Sequence, residues 1–324
     1  MKTEGITTPE VRPRFGIQPG DPVGLAIIRV GGRHVGAFAA LLFIPPNASL
    51  VTLLVVSYLI RIWAMEAVYH RYFAHAAYRT NRFCQGLLAL LGTQCGQRGP
   101  LWWAATHRTH HRYADTPLDP HSPAAHGFLH AHARWLTNSR QLATDLEVVA
   151  DYARFPELRW LNKYYYVPLH SAVPMLYWVG AQGWLGTDIS GLAAVLWGAY
   201  LPTTLALHMT SFVNSLGHLP SFPGGYRRYP KLNDGSMNRP VLGVLTLGAG
   251  WHNNHHRFGA SARTGFAWYE LDLVFWSLWL LQKTGVIFAL KSTVPEAILR
   301  EGGLLPTRMP GDLIAAEAAA TRVE

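Results

Sequence analysis

The stretch WHNNHHRF at 251–258 places His252, His255 and His256 within eight positions. THRTHHRYAD at 106–115 repeats the H-x-x-H-H spacing with His107, His110 and His111, and YHRYFAH at 69–75 adds His70 and His75. On a helix, positions i, i+3 and i+4 share a face, so each triplet would present its rings together. His70 and His75 are five apart, about 140° round an ideal α-helix, so that pair needs a helix end or a bend. Neutral imidazole suits zinc, copper, iron and nickel. Eight such rings exceed what one tetrahedral zinc takes and suit two metals with positions left for water or oxygen. A zinc hydrolase would normally pair three ligands with a catalytic carboxylate. Here the clusters hold almost no acids, Asp115 and Asp119 coming just after the second. Redox chemistry with oxygen activation is therefore the expectation. His34, His126, His130, His170 and His208 stand alone and read as packed or interfacial side chains.

Something must bring these clusters together, and composition says what. The chain is 49% hydrophobic and only 15% charged, where soluble domains carry about 25% charged residues. The net charge of +9 could suit nucleic acid, but the basic residues are scattered between aromatic segments and form no basic helix or arm. A membrane protein with basic cytoplasmic segments fits better, and no nucleic-acid partner is expected. Cys84 and Cys95 make no disulfide framework and read as small apolar side chains. The N-terminal stretch has no apolar signal-peptide core and reads as a polar tail.

A spanning helix takes roughly 20 mostly apolar residues. Four spans are expected, at about 31–46, 48–69, 164–186 and 189–213, the first two forming a hairpin broken by Pro45, Pro46 and Asn47. Lys2, Arg12, Arg14, Arg29 and Arg33 precede the first span, while the turns PPNAS (45–49) and GTDIS (186–190) hold no Lys or Arg. By the positive-inside rule, both termini, 70–163 and 214–324 are then cytoplasmic. All three histidine clusters fall on that one side, where they can converge. The run CQGLLALLGTQCG (84–96) is too short to cross and is placed on the membrane surface. The stretch 266–290 reads as interfacial because of Glu270 and Asp272 near its start, with a fifth span as the competing reading. The expected architecture is an all-α integral membrane protein of four transmembrane helices, with a cytoplasmic helical cap carrying a histidine-rich di-metal site. A membrane domain over 25–300 would lie between tails at 1–24 and 301–324.

These segments resemble the membrane fatty-acyl desaturases, in particular the acyl-CoA Δ9 (stearoyl-CoA) branch of bacterial type. The resemblance covers roughly 35–290 and rests on HRYFAH (70–75), GPLWWAATHRTHH (99–111), DPHSP (119–123), GFLHAHARW (127–135), NSLGH (214–218) and WHNNHHRF (251–258). It implies a di-iron site held by nine histidines and no carboxylate: His70, His75, His107, His110, His111, His218, His252, His255 and His256. It further implies that Asn214 holds one iron through a water. Two departures stand out. The glycine-acid-glycine common before the third box is Gly248-Ala249-Gly250, so an acid orienting a ligand histidine is missing or supplied elsewhere. The family's SHxGW is Ala131 to Trp135, AHARW.

The resemblance also implies an O2-dependent, four-electron reaction that takes one hydrogen from each of two adjacent methylenes and leaves a cis double bond. A bent apolar tunnel would choose the position. Trp102, Trp103, Trp135, Trp251 and Trp268 are the candidate walls, and Leu54, Tyr58 and Ile62 of the second span the candidate closed end. Acyl-CoA is the favoured substrate over acyl lipid, its phosphates meeting Arg79, Arg82, Arg98 and Arg140. An external donor of ferredoxin or cytochrome b5 type is expected, and zinc can replace iron on overexpression. The rivals are a hydroxylase on the same site and, from another class, a histidine-rich metal transporter.

Overall fold

The computed structural model describes residues 15–304. The outer parts of both expected tails, with Lys2, Arg12 and Arg14, lie outside the described residues. Helix α1 (Val23–Phe43) follows Pro22 and stops before Pro45 and Pro46, which cannot supply the amides of another turn. It begins at Val23 rather than near 31, because its basic residues find partners inside the protein. Arg29 donates to Asp21 at 2.6 Å and to the Tyr165 hydroxyl at 3.0 Å, and Arg33 donates to the Gly96 carbonyl. Asn47 caps helix α2 (Ala48–Trp63) by accepting from the Leu50 amide at 2.8 Å. The chain then runs on as a π-helical segment, Ala64–Ala74, buried throughout.

Helix α3 (Arg82–Thr93) has 12 residues and cannot cross a bilayer. It buries Gln85, Ala89, Gly92 and Thr93 and exposes Phe83, Leu87 and Leu90. Helix α4 (Pro100–Tyr113) starts with proline at its first position, where no amide is needed, and carries the second histidine cluster. Its N-terminal amides meet Asn162, whose side chain accepts from the Trp102 amide at 2.7 Å.

Helix α5 (Tyr166–Ala181) has 16 residues, about 24 Å, so the span expected at 164–186 is shorter than a full crossing. The following helical segment, Gly191–His218, has 28 residues and contains helix α6 (Leu201–Ser215). Three described segments are long and apolar enough to cross a membrane: Val23–Phe43, Ala48–Ala74 and Gly191–His218.

The third cluster sits on a short helix, α7 (His252–Arg257). Helix α8 (Leu273–Lys283) has 11 residues, which removes the fifth-span reading of 266–290. Nor do Glu270 and Asp272 mark an interface, since both are buried. Glu270 accepts from the Phe266 and Ala267 amides and from Asn254, and pairs with Arg228 at 2.7 Å. Asp272 caps α8 and pairs with Arg71 at 2.7 Å.

Among the described residues, sheet is confined to strand β1 (Ile17–Gln18) against strand β2 (Thr144–Asp145), antiparallel, which pins part of the expected N-terminal tail to the domain. The main core gathers Met65 to Tyr78 of the π segment and its exit, Leu101 to Ala105 of α4, Trp135 and Tyr152. Cys95 is buried and Cys84 half-buried, unpaired as expected.

Candidate metal centre

The first group forms around the π-helical segment. In an α-helix His70 and His75 would diverge; here the His75 amide donates to the His70 carbonyl at 3.1 Å, an i→i+5 bond. The two rings stand 5.0 Å apart, edge to face. His107, from α4, brings its Nε2 to 2.9 Å from that of His75, and His255, from α7, lies 3.0 Å from His70. The ligand nitrogens of these four lie within 4.8 Å of one another. His111 joins them, its Nε2 3.1 Å from that of His107 and 2.9 Å from that of His255.

The second group draws His110 from α4, His218 from the end of the long helical segment, and His252 and His256 from α7, again within 4.8 Å. His218 and His252 approach to 2.9 Å through Nε2, and His110 and His256 to 3.3 Å. All nine histidines named from the sequence therefore converge. Asn214 is half-buried and borders a small cavity of about 220 Å³ with Trp103, Thr106, His107, His121 and Trp135.

Four carboxylates stand behind the rings. Glu66 meets His70 Nδ1 at 2.8 Å, Asp119 meets His110 at 2.9 Å, Asp115 meets His218 at 2.7 Å, and Asp234 meets His256 at 3.0 Å. A carboxylate accepts, so it fixes the proton on Nδ1 and leaves Nε2 as a lone pair. His110 and His256 thus face each other at 3.3 Å with two lone pairs, an arrangement that a cation between them would relieve. The donor set fits a metal for this reason. Nδ1 of His252 and of His255 is buried without a partner among the described residues, in the cluster that Gly248-Ala249-Gly250 precedes. Burial holds the His107, His111, His252, His255 and His256 rings well below the ordinary histidine range, and neighbouring imidazoles add to the effect. Neutral rings are what a metal requires. Burial works to raise the Asp115 carboxyl, but the hydrogen bond and charge of His218, with hydrogen bonds from the Gly235 amide and Ser122, together outweigh it and bring the group down to about 2.

Glu66 and Asp234 were absent from the expected site. Glu66 had a readable cue, lying one helical turn before His70; Asp234 is in a loop far from any histidine in sequence. His121, in the DPHSP stretch, also lies beside the second group. Its ring lies 4.5 Å from that of His110 and 4.9 Å from that of Trp135.

The other expected residues divide. Trp103 stacks on His107 at 4.7 Å, and Trp102 stacks on Trp135 at 5.6 Å, so these three stand beside the centre. Trp251 is a buried prop, donating to the Leu271 carbonyl at 2.8 Å, and Trp268 is 86% exposed; neither borders the described cavities. Leu54, Tyr58 and Ile62 border none of the described cavities; Tyr58 donates to the Leu245 carbonyl at 2.6 Å and Ile62 is core. The four arginines do not gather. Arg82 is paired with Glu157 and shares one cleft with Arg79, Arg98 is buried by Trp102, and Arg140 is exposed on another segment. The histidines read as solitary include a chain: His34 and His208 meet at 3.1 Å through Nε2, and His208 meets His132 at 3.1 Å.

Helical segments long and apolar enough to cross a membrane converge on two imidazole groups able to hold metal ions. The fatty acid desaturase profile matches residues 45–287, and the chain belongs to that family. It is 34% identical over 233 residues to the sn-2 palmitoyl-lipid 9-desaturase of Nostoc sp. (strain 36), covering 70% of this chain and 76% of the relative. It is 34% identical over 262 residues to the sn-1 stearoyl-lipid 9-desaturase of Anabaena variabilis, covering 79% and 89%. With the acyl-CoA C20 Delta5-desaturase of Anemone leveillei the identity is 31% over 278 residues, covering 84% and 82%.

Proposed function

We propose that this protein inserts a cis double bond, at Δ9, into a saturated acyl chain in an O2-dependent reaction at a di-iron site. The observation that carries the reading is the convergence of nine imidazoles into two groups. His70, His75, His107, His111 and His255 would hold one iron. His110, His218, His252 and His256 would hold the other, with Asn214 reaching it through a water. Bound iron supplies the oxygen-activating chemistry that can break an unactivated C–H bond. Zinc competes for the same rings, so zinc in overexpressed protein is compatible with this assignment.

The chain's own residues position everything else. Glu66, Asp115, Asp119 and Asp234 keep the Nδ1 protons in place, so the ligand lone pairs stay aimed at the metals. The small cavity at Trp103, Trp135 and Asn214 gives the reacting carbons a place beside His107. A larger, mainly apolar cavity of about 750 Å³ runs among α1, α5 and α6, bordered by Val30, Leu136, Leu169, Val173 and Leu207. Its mostly apolar lining suits an acyl chain. Excluding water there protects the reaction and leaves position along the chain as the selected variable.

Four crossings remain the reading of the topology. Ala48–Ala74 and Gly191–His218 both deliver their ligands from their C-terminal ends, so they run in the same direction. The chain between them has to return, and α5 is the available leg. The histidine centre and both termini are assigned to the cytoplasmic side on the basic residues of the intervening segments.

For the carrier, acyl-CoA is our first reading. A second cavity shares Arg29, Arg98 and Tyr165 with the apolar one and adds Lys163, a setting for phosphates. Acyl lipid is the second reading, favoured by the names of the Nostoc and Anabaena relatives. Electrons would come from an external carrier of ferredoxin or cytochrome b5 type, steered by the excess positive charge.

The test is expression in cells that make only saturated acyl chains, followed by mass spectrometry that locates double bonds. New cis-Δ9 monoenes are expected. A hydroxylated product would assign the hydroxylase instead, and an unchanged profile would remove the proposal. Membranes supplied with acyl-CoA or with acyl phospholipid then separate the two carriers.

A further inference from the structure

We infer that the cationic cleft bordered by Arg79, Arg154 and Lys291 is the docking site of an acidic, one-electron carrier protein that reduces the metal centre from the His75 side. This rests on the desaturase reading above and adds where the electrons enter. The cleft is open, about 1570 Å³, and its wall includes Ala76, the residue after His75. A partner seated there lies one residue from a metal-ligating ring.

The charges facing the cleft leave a clear surplus. Arg82 is paired with Glu157 at 2.7 Å and Asp151 with Arg108 at 2.8 Å, so these four cancel. Arg79, Arg154 and Lys291 have no acidic partner among the described residues. Their backbone is braced. Arg79 and Phe288 exchange two amide-to-carbonyl bonds of 2.8 Å, and the Lys291 amide donates to the Ala77 carbonyl at 2.8 Å. Arginine set among exposed aromatics, here Phe288 at 49% exposure, is the usual make-up of a protein interface. The cleft's rim carries three like charges that would draw an acidic surface.

The wall nearest the centre is rigid. Arg108 donates to the Phe73 carbonyl at 2.8 Å and to the Ala74 carbonyl at 2.8 Å, and the Tyr152 hydroxyl donates to the Tyr72 carbonyl at 2.9 Å. These bonds anchor the last turn of the π segment to the cleft. In each encounter the carrier is oxidised by one electron and the centre is reduced by one, and two encounters supply one catalytic cycle.

The test uses the full chain in detergent and an acidic plant-type [2Fe–2S] ferredoxin as the probe, with binding measured without turnover. Wild-type affinity should fall as salt rises. The Arg154→Glu/Lys291→Glu double variant should bind about tenfold more weakly or worse, with a flatter salt dependence. Carbodiimide should join the Lys291 amine to a ferredoxin carboxylate as an amide, with loss of water, and peptide mass spectrometry would locate it. Unchanged affinity in the double variant, or cross-links confined to other lysines, would overturn the docking site. So would displacement of ferredoxin by soluble acyl-CoA, which would make the cleft a phosphate site. Single turnover after dithionite reduction judges the underlying reading separately. Product from both proteins keeps it, whereas product from neither removes it while the binding result still stands on its own.

Discussion

The His75 amide donates to the His70 carbonyl at 3.1 Å, and that one i→i+5 bond puts two rings spaced five apart onto the same face. An α-helical bond at this point would turn one of them away. Local π-helical geometry therefore builds the first ligand group. His75→Ala should lower bound iron from about two per chain to about one and abolish desaturation. Metal analysis of purified protein checks this; unchanged stoichiometry would remove His75 from the centre.

Asp119 supports His110 rather than any metal directly. Its carboxylate accepts from His110 Nδ1 at 2.9 Å and from the Asp115 amide at 2.9 Å. Burial opposes its ionisation, yet the His110 hydrogen bond, the neighbouring imidazoles and the Asp115 amide together hold the carboxyl well below the usual range. An amide at this position can offer its own N–H and favour the wrong tautomer. Asp119→Asn should weaken metal binding by about 10- to 100-fold, measured by chelator competition, with the fold retained by circular dichroism.

Acidification should destabilise the metal-free protein. Buried and surrounded by one another, His107, His111, His252, His255 and His256 stay neutral in the fold far below the ordinary histidine range. Once unfolded they take up protons below about pH 6.5. The unfolded state then binds more protons, so stability falls as pH drops, by up to about 1.4 kcal/mol per pH unit for each ring. Thermal midpoints of the metal-free protein should decline between about pH 7.5 and 5.5. A flat profile would mean the rings are not buried and neutral.

Arg71, beside His70, and Asp272, the cap of α8, form a buried pair at 2.7 Å. Asp272→Ala would strand the guanidinium and should cost about 3–5 kcal/mol, seen as a lowered melting temperature. Gly248 presses against the same carboxylate. Its φ is +136°, and an added Cβ would sit 2.6 Å from Asp272 Oδ1, so Gly248→Ala should destabilise as well.

Much of the centre was legible because helical spacing and residue type are local properties. The triplets at 107–111 and 252–256 needed only i, i+3, i+4 geometry, and the turn at Pro45 to Asn47 needed only proline and capping chemistry. What escaped depended on contacts made at long range. Arg29 and Arg33 read as basic tail residues ahead of the first span, whereas Asp21 and Gly96 partner them within the protein. Glu270 and Asp272 read as an interface for the same reason, their partners Arg228 and Arg71 being distant in sequence. Asp234 reaches His256 from a loop that no periodicity marks. The π turn was anticipated as a bend, though its hydrogen-bond type could not be read from spacing alone.

Iron-57 Mössbauer spectroscopy with metal counting, on wild type and on variants disabling each group separately, addresses the two-metal claim most directly. Two irons per chain are expected in the wild type. His70→Ala/His75→Ala and His218→Ala/His252→Ala should each retain about one and make no unsaturated product. A wild-type protein holding a single iron, or full desaturation by either variant, would contradict the account.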